Sequence, residues 1–184
     1  MKERSLLKHE PFKPAEIHIQ YFKTPVGELV LGEYEGRLCM SDWRYRKKRE
    51  IIDARVIKGL NATFTEKDSV LLQQAKDELT EYFQGSRKIF GIPLLFVGTE
   101  FQKSVWDALT RIPYGETASY SGLAKKIENE KAVRAVANAN GANAISIFVP
   151  CHRIIGSDGK LTGYAGGMEA KQKLLELEKS VFTR

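Results

Sequence analysis

The stretch IHIQYFKTPVGELVLGEYEGRLCMSDW, residues 17–43, decides the fold of the first half of the chain. Apolar and polar residues alternate through residues 17–21 and 29–31, which is the period of a half-buried β-strand. The dipeptides at 26–27 and 35–36 both contain glycine and are typical of tight turns. The stretch therefore predicts a meander of three antiparallel strands.

A basic run and a helix follow this meander. The run RYRKKR, residues 44–49, is expected to form a solvated loop of like charges. Thr65 with Asp68 three residues later is a variant of the capping box, and it predicts the start of an amphipathic helix. Gly85 predicts its end. The pattern then changes from strand-rich to helix-rich near residue 97, where we place a boundary.

Helical spacing dominates the second half. Thr99 and Gln102 form a capping box ahead of an amphipathic helix that Pro113 ends. Two short helices are then predicted at 118–127 and 131–140, on either side of a tight turn. Such a pair suggests a helix-turn-helix, although many small helical domains contain one.

These patterns predict an α+β protein with two domains. Residues 1–96 are expected to form a small antiparallel sheet with a helix. Residues 97–184 are expected to form a mostly helical domain with the helix-turn-helix and an active-site loop. The net charge of +6 favours polyanionic partners.

The chain has two cysteines, Cys39 and Cys151, which cannot build a disulfide framework. No CxxC or other metal-ligand spacing is present, so neither a metal nor a cofactor is expected. The start of the chain lacks the apolar stretch of a signal peptide, and no stretch suggests a membrane span. These features predict a cytoplasmic protein.

Cys151 lies in FVPCHRIIGSDG, residues 148–159, directly before His152 and Arg153. Cationic neighbours lower the pKa of a thiol and increase the fraction of thiolate, the nucleophilic form. We therefore predict a Cys–His pair, bridged by water if the backbone keeps the side chains apart. Residues 144–150 are expected to form a buried strand that ends at Pro150.

Three features near this pair have two readings each. Glu176 and Glu178 oppose the dipole of the last helix, and either of them could orient His152 or lie on the surface. The glycine-rich segment 156–167, with Tyr164, could line a pocket or simply connect two elements. The thin alanine-rich helix around Arg134 could insert into a narrow groove, but composition alone favours close packing against a neighbour.

Four segments of the second half share one resemblance. They are FQKSVWDAL, IPYGETASYSGLA, RAVANANGANAISIFVPCHRIIGSDGKLTGYAGG and KLLELE, and together they span roughly residues 97–179. This part of the chain closely resembles the methylated-DNA–protein-cysteine methyltransferases, also called O6-alkylguanine-DNA alkyltransferases. The first half is similar to the ribonuclease-H-like N-terminal domain of that family.

The resemblance implies a role for each matching residue of the catalytic group. Cys151 would accept the alkyl group, and His152 would polarise it through a water molecule. Glu178, rather than Glu176, would orient His152. Asn143 would be the hinge between the recognition helix and the active-site segment. Tyr120 would help to rotate the nucleotide and donate a proton toward the departing guanine.

The resemblance also assigns residues to DNA and to the base pocket. Arg134 would enter the duplex and fill the gap left by the extruded nucleotide, with the thin helix in the minor groove. The other DNA-binding residues would be Lys131, Ala135 and Gly141, together with Tyr120. The pocket would be lined by Tyr164, Ala165, Val149 and Pro150. Some relatives have serine where this chain has Ala165, so only a backbone amide could contact the base there.

The implied function is direct reversal of DNA damage. The alkyl group of O6-alkylguanine would pass irreversibly to Cys151 in a single turnover after nucleotide flipping. O4-alkylthymine and the preferred size of the alkyl group stay open. The expected partner is double-stranded DNA, bound largely without sequence preference by a monomer.

Three other functions compete with this one. A lesion binder that performs no chemistry would not need Cys151. A DNA-binding redox regulator would need a second cysteine within reach, and Cys39 belongs to a predicted strand of the other domain. A thiol hydrolase would turn over many times.

Overall fold

The computed structural model describes residues 14–180. The first half contains four strands and two helices: β1 Ala15–Thr24, β2 Gly27–Tyr34, β3 Arg37–Trp43, α1 Arg49–Leu60, β4 Ala62–Glu66 and α2 Val70–Phe83. The second half contains two short strands and four α-helices: α3 Glu100–Thr110, β5 Ala118–Ser119, α4 Tyr120–Lys126, α5 Val133–Gly141, β6 Ile154–Ile155 and α6 Met168–Ser180. Short 3-10 helices at Glu130–Ala132 and Cys151–Arg153 complete the described part.

The predicted meander is confirmed. β1 pairs with β2 and β2 with β3, both antiparallel, through turns at 25–26 and 35–36. A fourth strand, β4, joins the sheet parallel to β1, so the strand order is β3-β2-β1-β4. Helix α2 buries Leu72, Ala75, Leu79 and Tyr82 in the core. The α+β class is therefore confirmed, with a sheet that is mostly antiparallel.

Two predictions for the first half are wrong in detail. Thr65 does not begin a helix, because it lies in β4 opposite His18 of β1. Helix α2 begins five residues later, where the hydroxyl of Ser69 accepts a hydrogen bond from the amide of Leu72. The basic run is not entirely a solvated loop either, since Arg49 is the first residue of α1.

The helices of the second half follow their predicted signals. Thr99 and Gln102 form the reciprocal capping box at the start of α3. Helices α4 and α5 contact each other across the turn that precedes α5, as a helix-turn-helix requires. Within residues 14–180, no helix is long and apolar enough to cross a membrane.

Strand β3 also connects the two halves of the chain. The amide of Ser41 donates to the carbonyl of Ala144 at 2.8 Å, and the amide of Ser146 donates to the carbonyl of Ser41 at 2.7 Å. The hydroxyl of Ser41 donates to the carbonyl of Ser146 at 3.0 Å. The segment that leads to Cys151 is therefore hydrogen-bonded to the edge of the sheet.

Candidate active site

The segment before Cys151 is a compact turn rather than the predicted strand. Ile147 has a φ of 75°, a left-handed conformation that a β-strand cannot contain. The amide of Val149 donates to the carbonyl of Ile145 at 2.9 Å, and the amide of Cys151 donates to the carbonyl of Val149 at 2.8 Å. The apolar run is buried, as expected, but it folds back on itself and places Cys151 at the start of a 3-10 helix.

The thiol of Cys151 is buried and in contact with Asn143. The Asn143 amide Nδ2 donates to Cys151 Sγ at 3.1 Å and to the carbonyl of Val149 at 3.0 Å. Its Oδ1 accepts a hydrogen bond from the amide of Ile145 at 2.9 Å. Asn143 thus fixes the turn and the sulfur together.

The expected lowering of the thiol pKa does not occur in the DNA-free protein. Burial raises the pKa of Cys151, although the Asn143 hydrogen bond and the charges of Lys171 and Arg46 oppose that rise. Arg153 follows closely in sequence but directs its guanidinium to Glu178 instead. The free protein therefore keeps this thiol protonated at neutral pH.

His152 is fully buried and bonded to Glu178. Its Nε2 lies 2.8 Å from Glu178 Oε1. Burial lowers the pKa of His152 despite the nearby carboxylate, so the ring is neutral at neutral pH. Because Nε2–H donates to the carboxylate, Nδ1 is left as an acceptor. Within the described residues, Nδ1 has no hydrogen-bond partner.

Glu178 accepts hydrogen bonds from four residues. Besides His152, these are the Tyr82 hydroxyl at 2.7 Å, Arg153 Nε and Nη2 at 2.9 Å each, and the Gly115 amide at 3.1 Å. Burial raises the pKa of this carboxyl, but the hydrogen bonds from His152 and Arg153 and the charge of Arg153 outweigh burial and hold the pKa at about 2. Glu176 is exposed and bonds Gln172 instead.

Lys171 is a buried cation that the sequence did not reveal. Its Nζ donates to the carbonyl of Ile154 at 2.5 Å and to that of Thr162 at 3.0 Å. It therefore fastens the glycine-rich loop 156–167 to the segment that follows the active-site turn. The Tyr120 hydroxyl lies 3.0 Å from the Thr162 hydroxyl on the same loop.

A cavity of about 650 Å³ opens beside Cys151. Tyr164 and Ala165 line it. Within the described residues, Val149 and Pro150 do not line this cavity, because the turn directs them away from it. Pro150 lines a second cavity of about 570 Å³. The first half of the chain contributes a wall that the sequence did not predict: Trp43, Tyr45, Arg46 and Lys47.

Trp43 supports the loop in this cavity wall. Its ring meets that of Tyr164 edge-on, with centroids 5.9 Å apart. A Cβ at Gly166 would lie 2.5 Å from the Trp43 ring, which explains why the loop carries glycine at that position. The indole thus packs directly against the loop.

Helix α5 exposes one narrow face to solvent. Val136 and Ala139 point into the core, whereas Arg134 and Ala135 are exposed. The exposed face runs along the helix with the spacing of successive turns and comprises Arg134, Ala135, Asn138 and Gly141, and the exposed Lys131 of the preceding 3-10 helix continues it. Close packing against a neighbour, which composition alone favoured, therefore does not account for these small residues.

Two family models match this chain. The DNA-binding domain of 6-O-methylguanine DNA methyltransferase matches residues 100–180, and the ribonuclease-like domain of the same enzyme matches residues 17–96. The chain belongs to the methylated-DNA–protein-cysteine methyltransferase family. The division between residues 96 and 97 stays a prediction.

Relatives and solved structures agree with this membership. The methylated-DNA–protein-cysteine methyltransferase of Methanosarcina acetivorans is 46% identical over 160 residues, covering 86% of this chain and 96% of its own length. The constitutive enzyme of Bacillus subtilis is 45% identical over 164 residues, covering 85% and 92%. The predicted enzyme class is confirmed.

The fold is also similar to solved structures of Mycobacterium tuberculosis proteins. The crystal structure of its O6-methylguanine methyltransferase has a TM-score of 0.75 at 40% identity, covering 89% of this chain and 93% of that one. A crystal structure of the same organism's OGT in complex with DNA has a TM-score of 0.76 at 40% identity, covering 89% and 94%. DNA is therefore the partner of this methyltransferase family.

Proposed function

We propose that this protein repairs O6-alkylguanine in double-stranded DNA by transferring the alkyl group irreversibly to Cys151 Sγ. The observation that carries the proposal is the buried group of Asn143, Cys151, His152 and Glu178 beside a cavity of about 650 Å³. A thiol, a neutral imidazole and a carboxylate are the parts that nucleophilic attack by sulfur requires.

Activation of the thiol requires that its proton move to His152. Nδ1 of the neutral ring is the acceptor, and a bridging water completes the path from Sγ, since the two side chains share no direct hydrogen bond among the described residues. The ionised Glu178 stabilises the imidazolium that forms. Asn143 stabilises the thiolate through its hydrogen bond to Sγ.

The transfer itself is a displacement at carbon. Sγ forms a bond to the alkyl carbon while the bond from that carbon to guanine O6 breaks, and the electron pair stays on the purine. Tyr120, whose hydroxyl lies next to the glycine-rich loop, donates a proton toward the purine as it leaves. The thioether product is not cleaved by water, so each molecule reacts once.

The exposed face of α5 is the proposed DNA contact. Its small residues, Ala135 and Gly141, let the helix approach the floor of the narrow minor groove. Arg134 fills the gap left by the extruded nucleotide, and Lys131 contacts phosphate. Affinity should then fall with salt and depend little on sequence. We further propose that the protein acts as a monomer in the cytoplasm.

The test is a single-turnover reaction with a duplex that carries one O6-methylguanine, followed by peptide mass spectrometry. The Cys151 peptide should gain the mass of one methylene group, in proportion to the DNA added. Cys39 is an internal control, because burial raises the pKa of its thiol to about 12. The variant Cys151→Ser should bind the duplex and stay unmodified.

Binding of the duplex without modification of Cys151 would show that the protein only marks damage. Release of many product molecules per protein would show a hydrolase. A second duplex with O4-methylthymine, run in parallel, decides whether that base is also a substrate.

A further inference from the structure

Side chains from outside helix α5 bind four carbonyls at its C-terminal end and just beyond it. Trp106 Nε1 of α3 donates to the carbonyl of Ala139 at 2.8 Å. Two arginines bind the next carbonyls: Arg46 Nη2 donates to Gly141 O at 2.7 Å, Arg55 Nη2 to Ala142 O at 2.7 Å, and Arg46 Nη1 to Asn143 O at 3.1 Å. The last carbonyls of a helix lack partners within it, and a cation there is favourable.

Both arginines belong to the first half of the chain, and further contacts fix each guanidinium in place. Arg46 Nη1 donates to the two carboxylate oxygens of Asp42 at 2.9 and 3.0 Å, and the Asp42 side chain is fully buried. Arg55 extends from α1, with its guanidinium carbon 5.1 Å from the centre of the Trp106 ring. Neither guanidinium is therefore a mobile surface group.

Arg46 lies two contacts away from the thiol. It binds the carbonyl of Asn143, and the amide of the same Asn143 donates to Cys151 Sγ. The positive charge of Arg46 is also among the influences that oppose the rise of the Cys151 pKa, as is that of Lys171, whereas Asp42 adds to it. Arg46 can thus act on the sulfur both through geometry and through charge.

We infer that Arg46 and Arg55 are positioning residues of the alkyl transfer, through which the first half of the chain fixes the end of α5 relative to Cys151. The inference rests on the proposed function, because it assigns α5 to DNA and Cys151 to the alkyl group. Its consequence is that the first half takes part in the reaction although it supplies none of the reacting atoms. Arg46 acts on the thiol of Cys151, and Arg55 positions the end of helix α5.

Four variants separate these roles. Arg46→Met removes both donors and charge, and Arg46→Lys keeps the charge but offers one nitrogen in place of the two that bind the carbonyls and Asp42. Arg55→Met removes one donor to α5. Arg49→Met is the matched control, because Arg49 is also a partly buried arginine of α1 and its guanidinium bonds Asp53, Met40 and the carbonyl of Trp43, all in the first half.

The readouts are the Kd for the methylated duplex, the single-turnover rate of transfer at saturating DNA, the pH midpoint of that rate, and the unfolding midpoint in urea. For Arg55→Met we expect about 10-fold weaker DNA binding, the size of one lost charged hydrogen bond, with an unchanged pH midpoint. For Arg46→Met we expect a transfer rate lowered by about 10-fold or more and a pH midpoint raised by up to about one unit. Arg49→Met should match the wild type in Kd, transfer rate and pH midpoint, while its urea midpoint falls because its hydrogen bonds in the first half are lost.

The lysine variant distinguishes positioning from general damage to the fold. Arg46→Lys should restore the pH midpoint, because a cation remains near the sulfur, while the transfer rate stays low. A folded Arg46→Met with the wild-type rate and midpoint would overturn the inference. If Arg46→Met does not fold, wild-type behaviour of both Arg46→Lys and Arg55→Met would overturn it. Failure of the wild type to alkylate Cys151 would instead contradict the proposed function, and the Kd of Arg55→Met would then decide alone whether α5 needs these donors.

Discussion

Replacing Glu178 by glutamine measures how strongly one buried carboxylate stabilises this protein. Its two oxygens accept hydrogen bonds from Tyr82, His152, Arg153 and Gly115. Glutamine has nearly the same shape but carries no charge, so it resembles the protonated form of the glutamate. The variant therefore removes the negative charge and also replaces one accepting oxygen by a donating NH2, so the charge sets the lower limit of its effect.

The magnitude follows from the pKa of this carboxyl. It is about 2 in the folded protein, against an ordinary value of 4.5. A lowering of this size corresponds to about 3 kcal/mol of stability at neutral pH, which the Glu178→Gln variant should lack. Because the folded-state pKa is the lower one, this stability is present above pH 4.5 and is lost as the pH falls toward 2. At pH 3 the difference between the two proteins should be roughly half as large.

The assay is urea unfolding of wild type and variant at several pH values between 7 and 3. Carboxylates that do not contact Glu178 also titrate in this range, and their effects cancel when the two proteins are compared at each pH. His152 bonds Glu178, so its titration differs between the two proteins and adds to the deficit of the variant below neutral pH. Glu176→Gln is the matched control, since Glu176 lies on the same helix, is exposed and should change stability little. A Glu178→Gln deficit that stays constant from pH 7 to pH 3, or that matches the Glu176→Gln deficit, would refute the reasoning.

Three further substitutions test the thiol and its loop. Lys171→Met leaves a buried and a partly buried carbonyl without their donor, so urea unfolding should show a loss of about 2–4 kcal/mol. The pH midpoint of transfer should rise because a cation near Cys151 is gone, and an unchanged midpoint would contradict this. Gly166→Ala brings a Cβ against the Trp43 ring and displaces the loop. It should slow transfer at least about 10-fold and leave the affinity for DNA unchanged. Equal losses in rate and affinity would argue against a local effect. Asn143→Ala removes the donor to sulfur and should lower the single-turnover rate about 100-fold, and a near wild-type rate would exclude a role for that hydrogen bond.

The elements that the sequence predicted best have a local signal. Alternation of apolar residues placed β1 to β3, and the reciprocal capping box placed the start of α3. Helix α1 and strand β4 were missed for physical reasons. Helix α1 buries Ile52 and Val56 but has little amphipathic pattern, and β4 is five residues long and exists because it pairs with β1.

The candidate site shows the same division between local and distant effects. The motif around Cys151 identified the thiol and its imidazole neighbour, but the pKa of that thiol depends on burial, which three adjacent residues cannot report. Lys171 and Arg46 are single basic residues among 29, and nothing in their neighbours marks them as buried. The basic run 44–49 could be recognised in the sequence, but the role of Arg46 within it depends on hydrogen bonds to carbonyls almost a hundred residues later in the chain.

Burial of the thiol also explains how a protein that reacts only once avoids losing Cys151 to side reactions. A protonated, buried Cys151 reacts poorly with oxidants and small electrophiles, which attack exposed thiolates. In the proposed reaction, the groups that favour the thiolate are already in place: Asn143 at the sulfur, and a neutral His152 held by an ionised Glu178. The reaction further needs an alkyl carbon positioned in line with the sulfur. Binding of the flipped nucleotide supplies that carbon. The thiol then loses its proton in the complex in which its attack on the alkyl carbon repairs the base.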